Sequence, residues 1–467
     1  MSPRTLLFIA FFVVCSGGAL LSPIIGVIGY MLVYCLGPER QWWHDPLKGL
    51  GIRYSLAFGL ITAVGMAINW RKLRYGKSFL SGQEWLILLF LAMVWLSVAL
   101  GEPIVSPDSS GDHVSLKLAK VVLFVFMLTH VVTDVNSLDR VLWVLFAGTL
   151  FLGLQAYGAP AGAFEAGRLE TVGGPDFTGS NRLGCFMAGM LFLIGVRFLL
   201  SGWKGKLVCL VAGALAANTI VLTRSRGALL AVIAGMVVCL LMAPKKHRGM
   251  VIAGVILACL GGIYLMDAGF KERMKTITAS EEERDASTQS RIEIWRTGGK
   301  MLWSHPLRGV GAGNFTHTIG QYNPEHEGRD AHNTYVTCAA EYGFPGIALF
   351  LVLMANGGRL LWRVWKRAAE LPEKEGNFVL GLSCGFLASL AAYAVYGMTG
   401  TLLYFEAMWW MLAIPVCLSR AVENALGVRG TSDLVREAAK SRARRVLANR
   451  EPCQLGVPEH PAHDRAR

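Results

Sequence analysis

Two neighbouring polar residues, His332 and Asn333, stand where a long polar stretch from Gln289 gives way to apolar sequence. Upstream in the same stretch, in QSRIEIWRTGG, Arg291 and Trp295 lie four residues apart and therefore share one face of a helix. A neutral histidine near pH 7 takes a proton from a hydroxyl. A guanidinium presents two parallel donors and binds phosphate bidentately. The stretch thus carries a base and an anion-binding side chain, close to apolar sequence, and suits chemistry on a polar headgroup. The plainer reading of His332 is an interfacial histidine bonded to a backbone carbonyl; Asn333 and the polar surroundings weigh against it.

More arginines stand between apolar segments. Arg224 and Arg226 occupy the short TRSRG turn, and Arg182 lies in GSNRLG just before another apolar run. Singly, each reads as a snorkelling or ion-paired side chain. Several on one side, with few acidic residues beside Arg224 and Arg226, point instead to an anion site. Glu341 is costly at membrane depth without a partner, so it either orients a histidine or pairs with an arginine. Glu406, in LLYFEAMWW, poses the same question. Lys117 and Lys120, near the end of an apolar segment, read as snorkelling side chains, with reach to a phosphate as the alternative.

Several chemistries are excluded. The cysteines lie mostly in apolar segments, with no CxxC and no metal spacing, and read as small core residues. GVGAG at 309–313 follows no strand, so it reads as a turn and not a nucleotide loop. His326-Glu327 lacks the HExxH spacing. No His/Cys/Asp/Glu cluster has ligand spacing, and neither metal nor cofactor is expected. The short basic loops leave no room for a nucleotide-sugar domain, so a lipid-carried donor fits better than a soluble one. A net charge of +13 suggests nucleic acid, but it is spread over short loops and the tail, and no nucleic acid partner is expected.

The elements that must position these residues are membrane spans. The chain is 53% hydrophobic and 16% charged, against about 25% charged in soluble domains. Apolar segments near 5–21, 23–36, 51–69, 84–100, 115–132, 138–157, 183–200, 207–223, 227–243, 250–266, 345–361, 378–397 and 402–419 predict an all-α polytopic membrane protein of about 12–13 spans. The first two are short and open to a reading as one element broken at Ser22-Pro23. Basic residues at 71–77, 204–206, 245–248 and 359–367 alternate correctly for cytoplasmic loops. This puts 158–182, the 224–226 turn and 267–334 on the outer side, with EEERD at 281–285 a solvated start to the large loop. Serines at 287 or 290 can cap a helix that Ser304-His305-Pro306 ends; a second helix runs to Tyr342, stops at Gly343 and restarts at Pro345. The divisions are 1–134 and 135–266 for membrane helices, 267–344 for the outer loop, 345–420 for the last spans and 421–467 for a basic tail. From Arg436 to Arg450 that tail carries six Lys/Arg against one Glu, suited either to anionic lipid or to a solvated helix.

TRSRGALLA, the RIEIW…HPLRGVGAGNF block and AHNTYV…EYGFPG together resemble the O-antigen ligase and Wzy-type polymerase superfamily, over roughly 170–420. The amino-terminal third, leading to LGPERQWW, is similar to the O-glycosylation ligases of exosortase systems. The resemblance implies a metal-independent, inverting glycosyltransferase of the GT-C kind in the bacterial inner membrane. Such an enzyme moves a glycan from undecaprenyl diphosphate to lipid A core or a protein hydroxyl, with its active site facing the periplasm. It also implies roles: Arg226 as the SRG arginine, Arg291 as the loop RxxxW arginine, His332 as the catalytic histidine, and Arg182 as a looser match. Arg224, Trp295, Asn333 and Glu341 join Arg182 as candidate substrate-binding residues. A polymerase extending a lipid-linked glycan and a non-enzymatic transporter are the alternatives. A transporter would favour inverted repeats and broken helices at the midplane, and neither repeats nor paired acidic sites are visible.

The orientation is testable: reporter fusions at Gly328 and after Arg450 are expected on opposite sides of the membrane. The same compartment for both would overturn the topology.

Overall fold

A computed structural model describes residues 2–73, 78–101, 113–243, 248–275 and 286–448, without side chains at 272–275, 286–288 and 428–448. The EEERD stretch, Arg74, Lys77, Lys245, Lys246 and the basic side chains of the tail lie outside this description. The chain divides into a compact unit, Met1–Asn424, and a second unit, Ala425–Arg467. The second unit is helical as far as Ala448.

The first unit is all-α. Its amino-terminal helices are α1 (Pro3–Leu21), α2 (Pro23–Leu36), α3 (Tyr54–Asn69), α4 (Gly82–Leu100), α5 (Val114–Val131) and α6 (Val135–Tyr157). Ser22 separates α1 from α2, so the proposed break there is real, with a proline at the first turn of each helix. A two-stranded hairpin, β1 (Phe164–Glu165) and β2 (Arg168–Leu169), then leads to α7 (Ser180–Leu200), α8 (Trp203–Thr223), α9 (Arg226–Met242) and α10 (Arg248–Leu265). Three helices follow before the chain returns to apolar sequence: α11 (Ala268–Lys275), α12 (Ala286–Ser304) and α13 (Phe315–Tyr322). Ser287 and Ser290 fall inside α12 and not at its start, while its end at Ser304 is as the sequence predicts. The last helices are α14 (Thr334–Arg367), α15 (Glu373–Tyr396) and α16, which starts at Glu406.

Among the described residues nine helices are long and apolar enough to cross a membrane, or ten if a bent pair at 42–72 counts as one span. The chain is a polytopic membrane protein with fewer full-length spans than the apolar runs suggest. The difference lies in short elements: α2 has 14 residues and α9 has 17, below the roughly 20 that a bilayer asks for. Helix α10 has no buried residue among those described, which suits a lipid-facing helix. The start of α16 is the opposite case: Trp409, Trp410, Leu412, Ala413 and Ile414 are all fully buried. Its apolar surface is packed by neighbours on every side, with Phe90 on Trp409 and Phe124 and Tyr34 on Trp410.

Further along, at Arg420, α16 is anchored by charge. The two guanidinium nitrogens of Arg420 reach the two carboxylate oxygens of Glu84 at 3.1 and 2.8 Å, and also donate to the carbonyls of Thr129 and Phe79. Thr129 donates to Glu84 at 2.6 Å. Removing either charge would leave the other buried and unpaired, which costs about 3–5 kcal/mol.

The segment between α12 and α14 is fastened to α14 by main chain. At Gly343 the backbone is left-handed (φ 69°) and Pro345 restarts the helix, as the sequence predicts. The break releases carbonyls that a continuous helix would use. Val310 N–H donates to Ala340 O (2.9 Å), Gly311 N–H to Glu341 O (3.2 Å), and Phe344 N–H to Pro306 O (2.7 Å). Ser97 of α4 adds a hydroxyl donation to Glu341 O at 2.9 Å. Under this seam Ile294, Met301, Val310, Phe315, Ile319, Ala331 and Ala340 form a small apolar core.

Gly309 sits where that seam is tightest. Its φ is +66°, and a Cβ there would strike the backbone of Glu341 and Tyr342. Gly309→Ala is therefore expected to lower the melting temperature of the purified protein and its transfer activity together, whereas Gly299→Ala, in open space on α12, should leave both near wild type.

Candidate functional site

His332 lies in a short segment clasped from both sides. Its own backbone is left-handed (φ 46°), a conformation in which histidine is enriched among non-glycine residues. On one side, Trp295 of α12 donates its indole N–H to Ala331 O at 2.8 Å. On the other, Thr334 is 1% exposed and locks onto the connection between α15 and α16. Its N–H donates to Gly397 O (2.7 Å), its hydroxyl donates to Gly400 O (2.8 Å) and accepts from Leu402 N–H (2.9 Å). Asn333 caps α14, its carbonyl oxygen accepting from Tyr335 and Val336 N–H, while its amide donates to Met398 O. Both ends of the Asn333 side chain thus hold backbone at the start of α14.

Three helix N-termini meet at this end of the bundle. At the start of α7, Glu170 accepts from the N–H and hydroxyl of Ser180 at 2.7 and 2.8 Å. The next residue, Asn181, accepts from the hydroxyl of Ser225, the N-cap of α9, at 3.3 Å. Gly227, one residue into α9, packs so closely on Thr399 and Tyr396 that a Cβ would collide. The start of α9 thus joins the same 397–402 connection that grips α14, and the start of α7 is bonded to that of α9. Each N-terminus carries partial positive charge, and anions are favoured there by about 0.3–1 kcal/mol apiece. Arg182 and Arg226 stand in the first turns of α7 and α9. A cation at that place opposes the dipole, and an anion between them relieves it.

The sequence-identified residues divide accordingly. Arg182 and Arg291, both partly buried, lie close enough to His332 for their charge to act on it. Arg226 is partly buried at the first position of α9, next to Ser225. Arg224, also left-handed (φ 46°), pairs with Asp267 at 2.8 Å and lies against Gly167 and Gly269, which makes it a fastener of the α8–α9 turn. Glu341 is 2% exposed; its carboxylate accepts from Phe315 N–H at 3.3 Å and from the Tyr404 hydroxyl, and so neither orients His332 nor pairs with an arginine. Trp295 packs on the core beneath the loop and holds Ala331. Lys117 pairs with buried Asp176, which also accepts from Tyr34 and from the N–H of Glu406.

Three residues that sequence reasoning passed over belong to the site. Arg168, on β2, donates to Asn181 at 2.9 Å and to Thr223 O at 3.3 Å, and its charge also reaches His332. It was legible as one more arginine in the 158–182 connection. Asp330 lies 3.5 Å from His332 Nδ1 and accepts from the Thr401 hydroxyl at 3.0 Å. The Asp-Ala-His spacing was in view; Thr401 had no local signal. Burial pushes the His332 imidazole below its ordinary value of 6.5; Asp330 opposes this, and Arg291, Arg168 and Arg182 reinforce it. The ring is therefore neutral at pH 7 and able to accept a proton.

Residues 211–351 match the O-antigen ligase family, which supports a glycan-processing role of the ligase or polymerase kind. That family acts on lipid-linked glycans and their acceptors. No curated protein matches the chain. Among solved structures, one described as "Structural coordination of polymerization and crosslinking by a peptidoglycan synthase complex" is similar, with 18% identity and a TM-score of 0.44 over 73% of this chain and 97% of that one.

The indole bond of Trp295 makes a graded outcome. Trp295→Phe keeps the ring packing and loses one hydrogen bond, worth about 0.5–1.5 kcal/mol; Trp295→Ala loses both. Transfer rates are expected to fall in the order wild type, Phe, Ala, and equal rates for Phe and wild type would show that the bond to Ala331 does not hold His332.

Proposed function

We propose that the protein is a glycan ligase of the inner membrane, moving an oligo- or polysaccharide from undecaprenyl diphosphate to a hydroxyl of lipid A core or protein at the periplasmic face. The observation that carries this reading is the placement of His332, neutral and clasped, among Arg182, Arg168 and Arg291. His332 takes the proton of the acceptor hydroxyl as its oxygen attacks the anomeric carbon. The bond from that carbon to the diphosphate breaks on the opposite face, which inverts the centre. Charge builds on the departing diphosphate, and preorganised donors placed where charge develops contribute most to such steps. Arg291, Arg226 and Arg182, with the N-termini of α7 and α9, supply them. In this reading arginine takes the place of a divalent metal.

The test is transfer by purified protein in excess EDTA, with lipid-linked glycan and acceptor. Wild type should be active, and its activity should fall on the acid side of the profile at a pH below 6.5, where the lowered imidazole charges. His332→Ala and His332→Asn, the second suited to a left-handed backbone, should lose about 10²–10⁴-fold. Arg291→Lys and Arg226→Lys keep the charge but not the paired donors, and should lose most activity, with Arg291→Lys binding donor more weakly by about 1–3 kcal/mol. An active His332→Asn, or a metal requirement, would overturn the mechanism; active Lys variants beside inactive Ala variants would reduce the arginines to plain charge.

A further inference from the structure

We propose that Asp330, held by Thr401, positions His332 by taking the proton-bearing Nδ1, so that Nε2 is the nitrogen facing the acceptor hydroxyl; this rests on the reading of His332 as the base. The geometry is direct. Asp330 Oδ2 lies 3.5 Å from Nδ1, and the Thr401 hydroxyl donates to Asp330 Oδ1 at 3.0 Å. One carboxylate thus spans two elements: the segment before α14 and the α15–α16 connection. The three residues stand in sequence, the Thr401 hydroxyl hydrogen-bonded to the carboxylate and the carboxylate in ionic contact with the imidazole. A carboxylate on one ring nitrogen fixes the tautomer and turns the other nitrogen into the acceptor of the proton. Among the described residues no hydrogen bond engages Nε2.

The side chains of His332 and Asp330 stay 43% and 37% exposed, so the pair lines a surface that an acceptor can reach. The left-handed backbone at His332 gives the ring its place near a carboxylate only two residues earlier. The charges that face the imidazole from each packed element are Asp330 from its own segment, Arg291 from α12, Arg168 from the hairpin and Arg182 from α7. Asp330 is the single negative group in that set. It stabilises the imidazolium that forms when the acceptor proton arrives, against three cations that disfavour it. During the step the acceptor O–H bond breaks and its proton bonds to Nε2. The Nδ1 proton stays on nitrogen, and Asp330 stays ionised.

A position held only for packing and a position that sets the tautomer differ in what they move. In Asp330→Asn the shape is kept and the charge removed. The expected result is a fall in kcat of roughly tenfold to a thousandfold, within the range that a positioned base contributes, with donor affinity near wild type. The acid limb of the pH profile should also move to lower pH, because the one group raising the imidazole is gone. Thr401→Val, which leaves the carboxylate but removes its support, should show a smaller fall in kcat, and Thr401→Ser should restore it. Melting temperatures of all three variants are read alongside. Asp330→Asn with wild-type kcat and an unchanged acid limb would overturn the proposal, as would a Thr401→Ser variant no better than Thr401→Val. If His332→Asn is itself active, the failure belongs to the base assignment; if His332→Asn is dead and Asp330→Asn is normal, it belongs to this inference alone.

Discussion

The architecture around the site depends on one buried threonine. Thr334 makes three hydrogen bonds to the 397–402 connection, and it does so at 1% exposure, where an unmade bond costs more than a made one gains. Those bonds fix the start of α14, and with it His332 two residues before. The same connection receives the start of α9 at Thr399 and Tyr396, and supports Asp330 through Thr401. Two helices far apart in sequence, α14 and α9, are thus registered on one short connection. The precision needed for chemistry comes from this short connection, which by composition is an ordinary glycine-containing turn.

Around it, charge is placed in layers. Each arginine with a structural duty is matched by a carboxylate or carbonyl: Arg224 with Asp267, Arg168 with Asn181 and Thr223 O, Arg420 with Glu84. Arg182 and Arg226 stand in the first turns of helices, where the dipole disfavours them.

Much of this was legible in the sequence, and the part that was not has a physical reason. Apolar runs found the helices, and Gly343-Phe344-Pro345 located the break in α14, because these signals are local. His332, Arg291 and Arg182 stood out as polar residues out of place. Glu341 also stood out, but its partners, Phe315 N–H and Tyr404, come from a loop and a distant turn, and no spacing rule joins them. Asn333 was read by what it could bind, while its cap geometry depends on the helix that follows. Thr401 and Thr334 are invisible to pattern reading, since their importance is created entirely by tertiary contact.

The break at Gly343 has one more consequence. It leaves the loop stitched to α14 through amide and carbonyl groups that every residue carries, at Val310, Gly311, Ala340, Glu341 and Phe344. Such stitching is indifferent to side-chain identity. The exposed residues Glu325, Glu327 and Arg329, and the outward face of α12, can exchange freely while the histidine and its arginines keep their register, whereas buried His326 between them cannot. The same frame can therefore change its surface by drift alone, with no need to rebuild the segment around His332.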